Sequence, residues 1–320
     1  MDLSAYVGTY PVSISSAVEL ADGKVRRAGR RTLVLTPQTL EARIETLASE
    51  VHRCFGAPTC LLSLAPTDGD TNVEHVLLQG LGVRWVELPK GFVRASNNNL
   101  VSAAEQQFLR CGLMGMLRPF YVGSKKEVGF DFPDGTTVKF VNDPSRGFEI
   151  HVVEPDGAPL RDLGLPDSSG EAVLRLEVPV TMPDPRAASA ALHKLTYLTL
   201  CLADPAVALD AALQPTRDCI LGHGDYRPFA ETFLPGAPPG FEAHFGVSRR
   251  TDGGVGQVQA VVRLHHVRYT LGLAGTDFVS RLDDVVPEHL PGSSRRVTVE
   301  FGIGSMQRRT AKEEEDDAHS

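Results

Sequence analysis

The chain reads as an α+β protein, and three observations predict this. An amphipathic helical period runs from Pro37 to about Cys54, the apolar period changes to two after residue 127, and one strong helix is set between two groups of strands. The order helices, strands, helix, strands differs from the regular strand–helix alternation of a parallel sheet.

Residues 1–31 read as extended and irregular, and Leu33–Leu35 as a short strand. Thr36 then suits an N-cap with Pro37 at the first helical position, because proline has no N–H to lose there. Leu40, Ile44, Leu47 and Val51 follow at spacings of three and four, which places one apolar stripe on a helix ending near Cys54. Cys60–Leu64 is a short apolar run and reads as a strand, and Pro66–Asn72 as a loop. Ser96 or Asn97 can cap a helix running to about Leu113. Val128 onwards alternates around Asp134-Gly135 and predicts a hairpin, with further strands at Phe148–Val153 and Ala172–Val180 joined by a Pro-, Gly-, Asp- and Ser-rich loop. Asp184-Pro185 opens the strong helix, whose Ala191, Leu195, Leu198 and Leu202 share a face. After a Pro- and Gly-rich stretch at 222–240, strands return at Glu242–Val247, Gln257–Leu264, Val267–Leu273 and Arg296–Phe301.

Composition narrows the function. The 320 residues suffice for one large or two ordinary domains. No apolar run of about 18 residues occurs, so no membrane span is expected. The opening MDLSAYVGTYPVSISS lacks a basic stretch followed by an apolar one, so no secretory signal is expected and the cytoplasm is the expected compartment. Five cysteines without a C-x-x-C pair argue against a disulfide framework and an intact four-thiolate zinc site. The net charge is −8, and five of the acids lie in the last ten residues. A mildly acidic body is no broad nucleic-acid binder, so any DNA contact needs a local patch. Arg26, Arg27, Arg30 and Arg31 in GKVRRAGRR form the candidate patch, and a solvated loop or strand edge is the bland alternative.

The richest stretch is NVEHVLLQGLGVRWVELPKGFVRASNNNLVSAAE, Asn72 to Glu105. Cutting a phosphodiester requires an activated water, a Lewis acid on the phosphate and stabilisation of the leaving oxygen. A His beside an acid can act as general base and metal ligand, an Asn can orient either partner, and a helix N-terminus favours an anion. Glu74, His75, Asn97, Asn98, Asn99 and Glu105 are residues of those types. Each also has an ordinary reading: a strand pair with a core histidine, a polar helix cap, a solvent-facing helix acid. His193 and Lys194 read as surface groups on the strong helix, Arg217 as the partner of a carboxylate, and His265-His266 as adjacent strand residues facing opposite sides.

The stretch resembles the HNH endonuclease family, in its cysteine-braced branch. Glu74-His75-Val76 and Leu81-Gly82 match the family's E-H segment and turn, and Asn97 matches the Asn that leads into the helix. The family's two zinc-binding pairs fall on Cys60 and Ser63 and on Val93 and Ser96, so one thiolate of four is kept. The family's Pro falls on Leu78 and its second Gly on Val83. A helix-and-arginine segment downstream, at 190–198 with Thr216-Arg217-Asp218, is similar to one found after the nuclease module in some members. The resemblance spans roughly 55–275.

What the resemblance implies is a small ββα-metal-like module at 55–120. It stands between an N-terminal extension with a helix at 1–54 and an α+β, mostly antiparallel region with one long helix at 121–310. An acidic disordered tail at 311–320 closes the chain. The resemblance further implies a metal-dependent endonuclease acting on DNA, with His75 and Asn97 catalytic and Glu74, Asn98 and Glu105 holding Mg²⁺. Structural zinc is not expected, because a thiolate cage is missing. The alternative is a catalytically inactive HNH-like scaffold acting as a binding or assembly protein.

Overall fold

The computed structural model describes residues 8–19, 25–67, 69–122, 128–131, 137–143, 147–153, 172–181, 184–234, 239–275 and 294–303. The expected tail at 311–320, the loop at 154–171 and Lys24 of the basic run lie outside these residues.

The fold is α+β with mostly antiparallel strands. Its largest sheet has six strands in the order β2-β1-β10-β11-β12-β9. These are β1 (Tyr10–Glu19), β2 (Val25–Leu35), β9 (Phe229–Phe233), β10 (Phe241–Arg249), β11 (Val255–Leu264) and β12 (Val267–Ala274). All neighbours run antiparallel except β1 and β10, which pair in parallel from Val12↔Ala243 to Val18↔Arg249. Residues 1–31, expected to be extended and irregular, thus supply β1 and most of β2, a hairpin hydrogen-bonded into the sheet of residues 229–274. Val12 and Ile14 face Ala243 and Phe245 across this pairing, and all four are buried. Period-two burial puts these apolar residues on one face and polar ones on the other. The hairpin expected after Val128 is β5 (Val128–Asp131) with β6 (Thr137–Asp143), and β7 (Gly147–Val153) extends it on the β6 side. β8 (Ala172–Thr181) pairs antiparallel with β13 (Ser294–Ile303).

The buried face of the six-stranded sheet packs on helices. α1 (Pro37–Phe55) starts at Thr36, whose hydroxyl accepts from Thr39 N–H while Thr39 reaches back to the Thr36 amide, and it ends at Gly56 with φ 69°. Leu40, Leu47 and Val51 are its buried stripe, and Ile44 packs beside them. The strong helix, here the fourth in the chain, spans Pro185–Ala203 and is buried on every side from Ala188 to Ala203. It lies between the sheet and the other helices, touching α1, β10 and β12. Its C-terminal carbonyls are capped in trans: Arg43 donates to Leu202 O and Ala203 O at 2.9 and 3.0 Å, and Arg31 donates to Ala203 O.

Several expectations are corrected. The basic run takes the strand edge, one of its two ordinary readings, and not the loop: Arg26–Arg31 lie within β2, an edge strand of eleven residues. Cys60–Leu64 is a turn, closed by Leu64 N–H on Cys60 O at 2.7 Å with Leu64 at φ 52°. The helix expected to reach Leu113 breaks at Leu109–Cys111, giving α2 (Ala95–Phe108) and α3 (Gly112–Val122). Its cap is Arg94, without a side-chain hydrogen bond, rather than Ser96 or Asn97. The strong helix, α4 in chain order, is followed by a short helix α5 (Pro205–Ala208) and by α6 (Gln214–Ile220).

Candidate functional site

Two short strands, β3 (Glu74–His75) and β4 (Glu87–Leu88), pair antiparallel and precede α2. Between them a 3₁₀ turn at Gln79–Leu81 ends on Gly82, whose φ of 88° is a conformation that side-chain-bearing residues avoid. The turn of Leu81-Gly82 is therefore a backbone requirement. The hairpin is anchored on three sides. Leu61 N–H bonds Phe92 O, Arg118 Nε bonds Gly80 O, and His265 Nε2 lies 3.2 Å from Leu81 O.

Successive residues of a strand point to opposite faces. Glu74 points inward and is 2 % exposed, whereas the His75 side chain is 29 % exposed. The Glu74 carboxylate meets Lys194 from α4, with Oε1 2.5 Å from Nζ. The same ammonium donates to Glu105 Oε1 of α2, also at 2.5 Å. One cation, 1 % exposed, thus holds two carboxylates from two other elements. Burial pushes the Glu74 carboxyl above its ordinary range; Lys194 opposes this and the Glu105 charge adds to it. Tyr197, one turn along α4, donates to Leu61 O at 3.0 Å, so a single helical face holds both the hairpin and the Cys60–Leu64 turn.

On the outer face, His75 Nδ1 lies 2.9 Å from Glu87 Oε1, the cross-strand neighbour, without the alignment of a hydrogen bond. The Gln79 amide meets His75 Nε2. Asn97 is engaged elsewhere: its Nδ2 donates to Cys60 Sγ at 3.3 Å, beside the Arg94 N–H at 3.4 Å. Burial raises the Cys60 thiol, but donors from Arg94, Ser63 and Asn97 outweigh it and hold the thiol below its ordinary range. The turn of Cys60 and the segment of Val93 do lie together, as the resemblance implies, but Val93 is fully buried hydrocarbon and Ser96 is exposed. Asn98 gives its backbone N–H to Arg94 O.

The nominated residues therefore separate into three groups: Glu74 and Glu105 on Lys194, His75 with Glu87 and Gln79, and Asn97 on Cys60. They do not fit the implied Mg²⁺, because the two nominated carboxylates already share an ammonium and neither His75 nor Asn97 joins them. Among the described residues, no group of three or more His, Cys, Asp or Glu side chains could hold a metal.

Of the basic patch, Arg31 forms an ion pair with Asp204 at 2.6 Å and serves the C-terminus of α4. Arg26, Arg27 and Arg30 are exposed on β2, and Arg30 reaches Ser13 Oγ at 3.4 Å.

Sequence reasoning missed Lys194 by reading it as a surface group. The signal was there: in AALHKLTYLTLCLA apolar residues surround Lys194 on every side, which makes the helix a buried one whose charge requires a partner. His193 is likewise buried, with Nδ1 2.8 Å from Ser189 O, and burial holds it down at about 4. His265 and His266 form the tight turn between β11 and β12 rather than a strand, with His265 at φ 56°. Arg217, fully buried, serves the oxygens of Ala208, Asp210, Gln214 and Tyr197 rather than a carboxylate.

The chain matches no family model, no curated protein and no solved structure.

Proposed function

We propose that the chain is a catalytically inactive HNH-like scaffold that works as a binding protein, with DNA met through its phosphates as the partner. The observation that carries the first half is Lys194. A metal ligand must offer its charge and lone pairs to the metal, and Glu74 turns its Oε1 to a buried ammonium. Displacing that ammonium would strand a charge in the core, at about 3–5 kcal/mol for breaking a buried pair.

The binding surface is the open face of the six-stranded sheet. Arg30 and Arg27 pair with Ser15 and Ala17 on this face, and Gly246, opposite Ser15, has nothing within 4 Å of the place a Cβ would take. Arg263 and Arg268 stand directly opposite each other across β11 and β12, a like-charge pairing that favours an anion above it. Glu242 meets Arg263 at 3.1 Å. No Phe, Tyr or Trp stands at the register positions between the arginines (Ser13, Ser15, Glu242, His244, Gly246, Gln259 and Val261), so contact falls on the phosphate backbone rather than on stacked bases.

One observation favours the nuclease reading instead: His75 is partly exposed and stands beside a carboxylate, Glu87, an arrangement that suits a general base. Plasmid nicking in Mg²⁺ or Mn²⁺ separates the two. The scaffold reading expects no nicking by wild type or by His75→Ala, together with duplex DNA binding that weakens in Arg27→Ala/Arg30→Ala. The slope of log affinity against log salt should shrink by about 0.9 for each arginine–phosphate pairing removed. Nicking by wild type that disappears in His75→Ala would install the nuclease reading.

A further inference from the structure

We infer that the Lys194 ammonium is a resident cation standing where a divalent ion would otherwise be required, so the hairpin holds its place without metal, and that removing the ammonium leaves a two-carboxylate site able to take one. This rests on the scaffold reading and extends it from what the site does not do to what holds it together.

Three observations carry the inference. The ammonium is equidistant from Glu74 Oε1 and Glu105 Oε1, at 2.5 Å from each. The three side chains come from β3, α2 and α4, so the cation ties the hairpin, the helix that follows it and the central helix. The second Glu74 oxygen, Oε2, is buried and accepts no hydrogen bond, so this carboxylate keeps acceptor capacity that the ammonium leaves unused. Without the ammonium, Glu74 would face Glu105 across the space it vacates, and the two must protonate or recruit a cation. Hard divalent cations bind carboxylate oxygens at roughly 2.0–2.6 Å. Two carboxylates with a divalent ion are neutral, whereas with Lys194 they carry one net negative charge, so the exchange is electrostatically permitted.

Melting of the full chain tests this. Wild type should melt at the same temperature with EDTA as with millimolar Ca²⁺ or Mn²⁺. Lys194→Ala should melt roughly 10 °C lower in EDTA, in line with the loss of a buried charge partner in a chain of this size. Millimolar Ca²⁺ or Mn²⁺ should raise it again by several degrees through binding to the folded form, whereas K⁺ should not. Lys194→Ala/Glu74→Gln/Glu105→Gln should show no such rise. If Lys194→Ala is recovered unfolded, refolding it with and without Mn²⁺ replaces the melt: recovery only with Mn²⁺ supports the inference. A wild type shifted by EDTA overturns it. So does a Lys194→Ala protein that neither melts lower nor responds to divalent ions more than wild type, or that fails to refold in either condition while the triple variant refolds. Plasmid cutting by wild type would sink the scaffold reading and leave these melting shifts standing.

Discussion

Glu74 and His75 are chain neighbours, yet they stand on the two sides of one two-residue strand and live in different solvents. The inner side is dry: Glu74, Lys194 and Glu105 form a cluster whose cation is 1 % exposed. The outer side is open to solvent: the His75 and Glu87 side chains are 29 % and 37 % exposed. Lys194 is a buried ammonium between two carboxylates, so the low dielectric of the core makes the inner cluster far more costly to disturb than the exposed contact of His75 with Glu87. A motif written as two adjacent letters is thereby divided between a structural role and a surface one.

The largest effect should come from breaking the inner side. Lys194→Met keeps the volume and strands Glu74 and Glu105, and should cost about 3–5 kcal/mol by chemical denaturation. Adding Glu74→Gln should return part of that loss, since the stranded charge is the penalty. Equal stability of Lys194→Met and wild type would show that the two sides do not differ.

The second effect is a dependence on pH. Burial holds His193 and His265 down at about 4, against about 6.5 in the unfolded chain. The unfolded state therefore takes up these protons first, and the stability they contribute is full above pH 6.5 and is lost as pH falls from 6.5 to 4. Each shift corresponds to about 3 kcal/mol at most. His193→Gln should flatten this limb of the stability profile, followed by urea titrations across that window. Glu74 acts with the opposite sign. Its raised carboxyl favours the folded state below its unfolded value, and that contribution fades as pH rises through the folded one.

The smallest effect should come from the outer side. His75→Ala removes an exposed pair and should change stability by about 0–1 kcal/mol. A loss as large as that of Lys194→Met would mean that His75 is part of the core after all.

The sheet was largely readable because its strands alternate: β10, β11 and β12 bury every second residue over most of their length. The capped starts of α1 and α4 at Thr36-Pro37 and Asp184-Pro185 were readable for the same local reason. β1 was not, because its apolar positions Tyr10, Val12 and Ile14 give way to Ser15-Ser16, and its parallel partner lies some 230 residues away. β9 was hidden among prolines and glycines. The candidate site was readable in its letters and not in its groupings. Strand parity separates Glu74 from His75, but nothing near them in sequence says which face is dry. That is decided by α4, about 120 residues on, which brings Lys194 to Glu74 of the hairpin and Tyr197 to the neighbouring turn at Leu61. Cys60–Leu64 misled because a short apolar run is ambiguous between a strand and a buried turn.

The central claim is that Glu74 belongs to Lys194 and not to a catalytic metal, and plasmid nicking in Mg²⁺ or Mn²⁺ tests it most directly. Intact supercoiled plasmid with wild type and with His75→Ala alike is the predicted result, and metal-dependent nicking by wild type that is abolished in His75→Ala would contradict it.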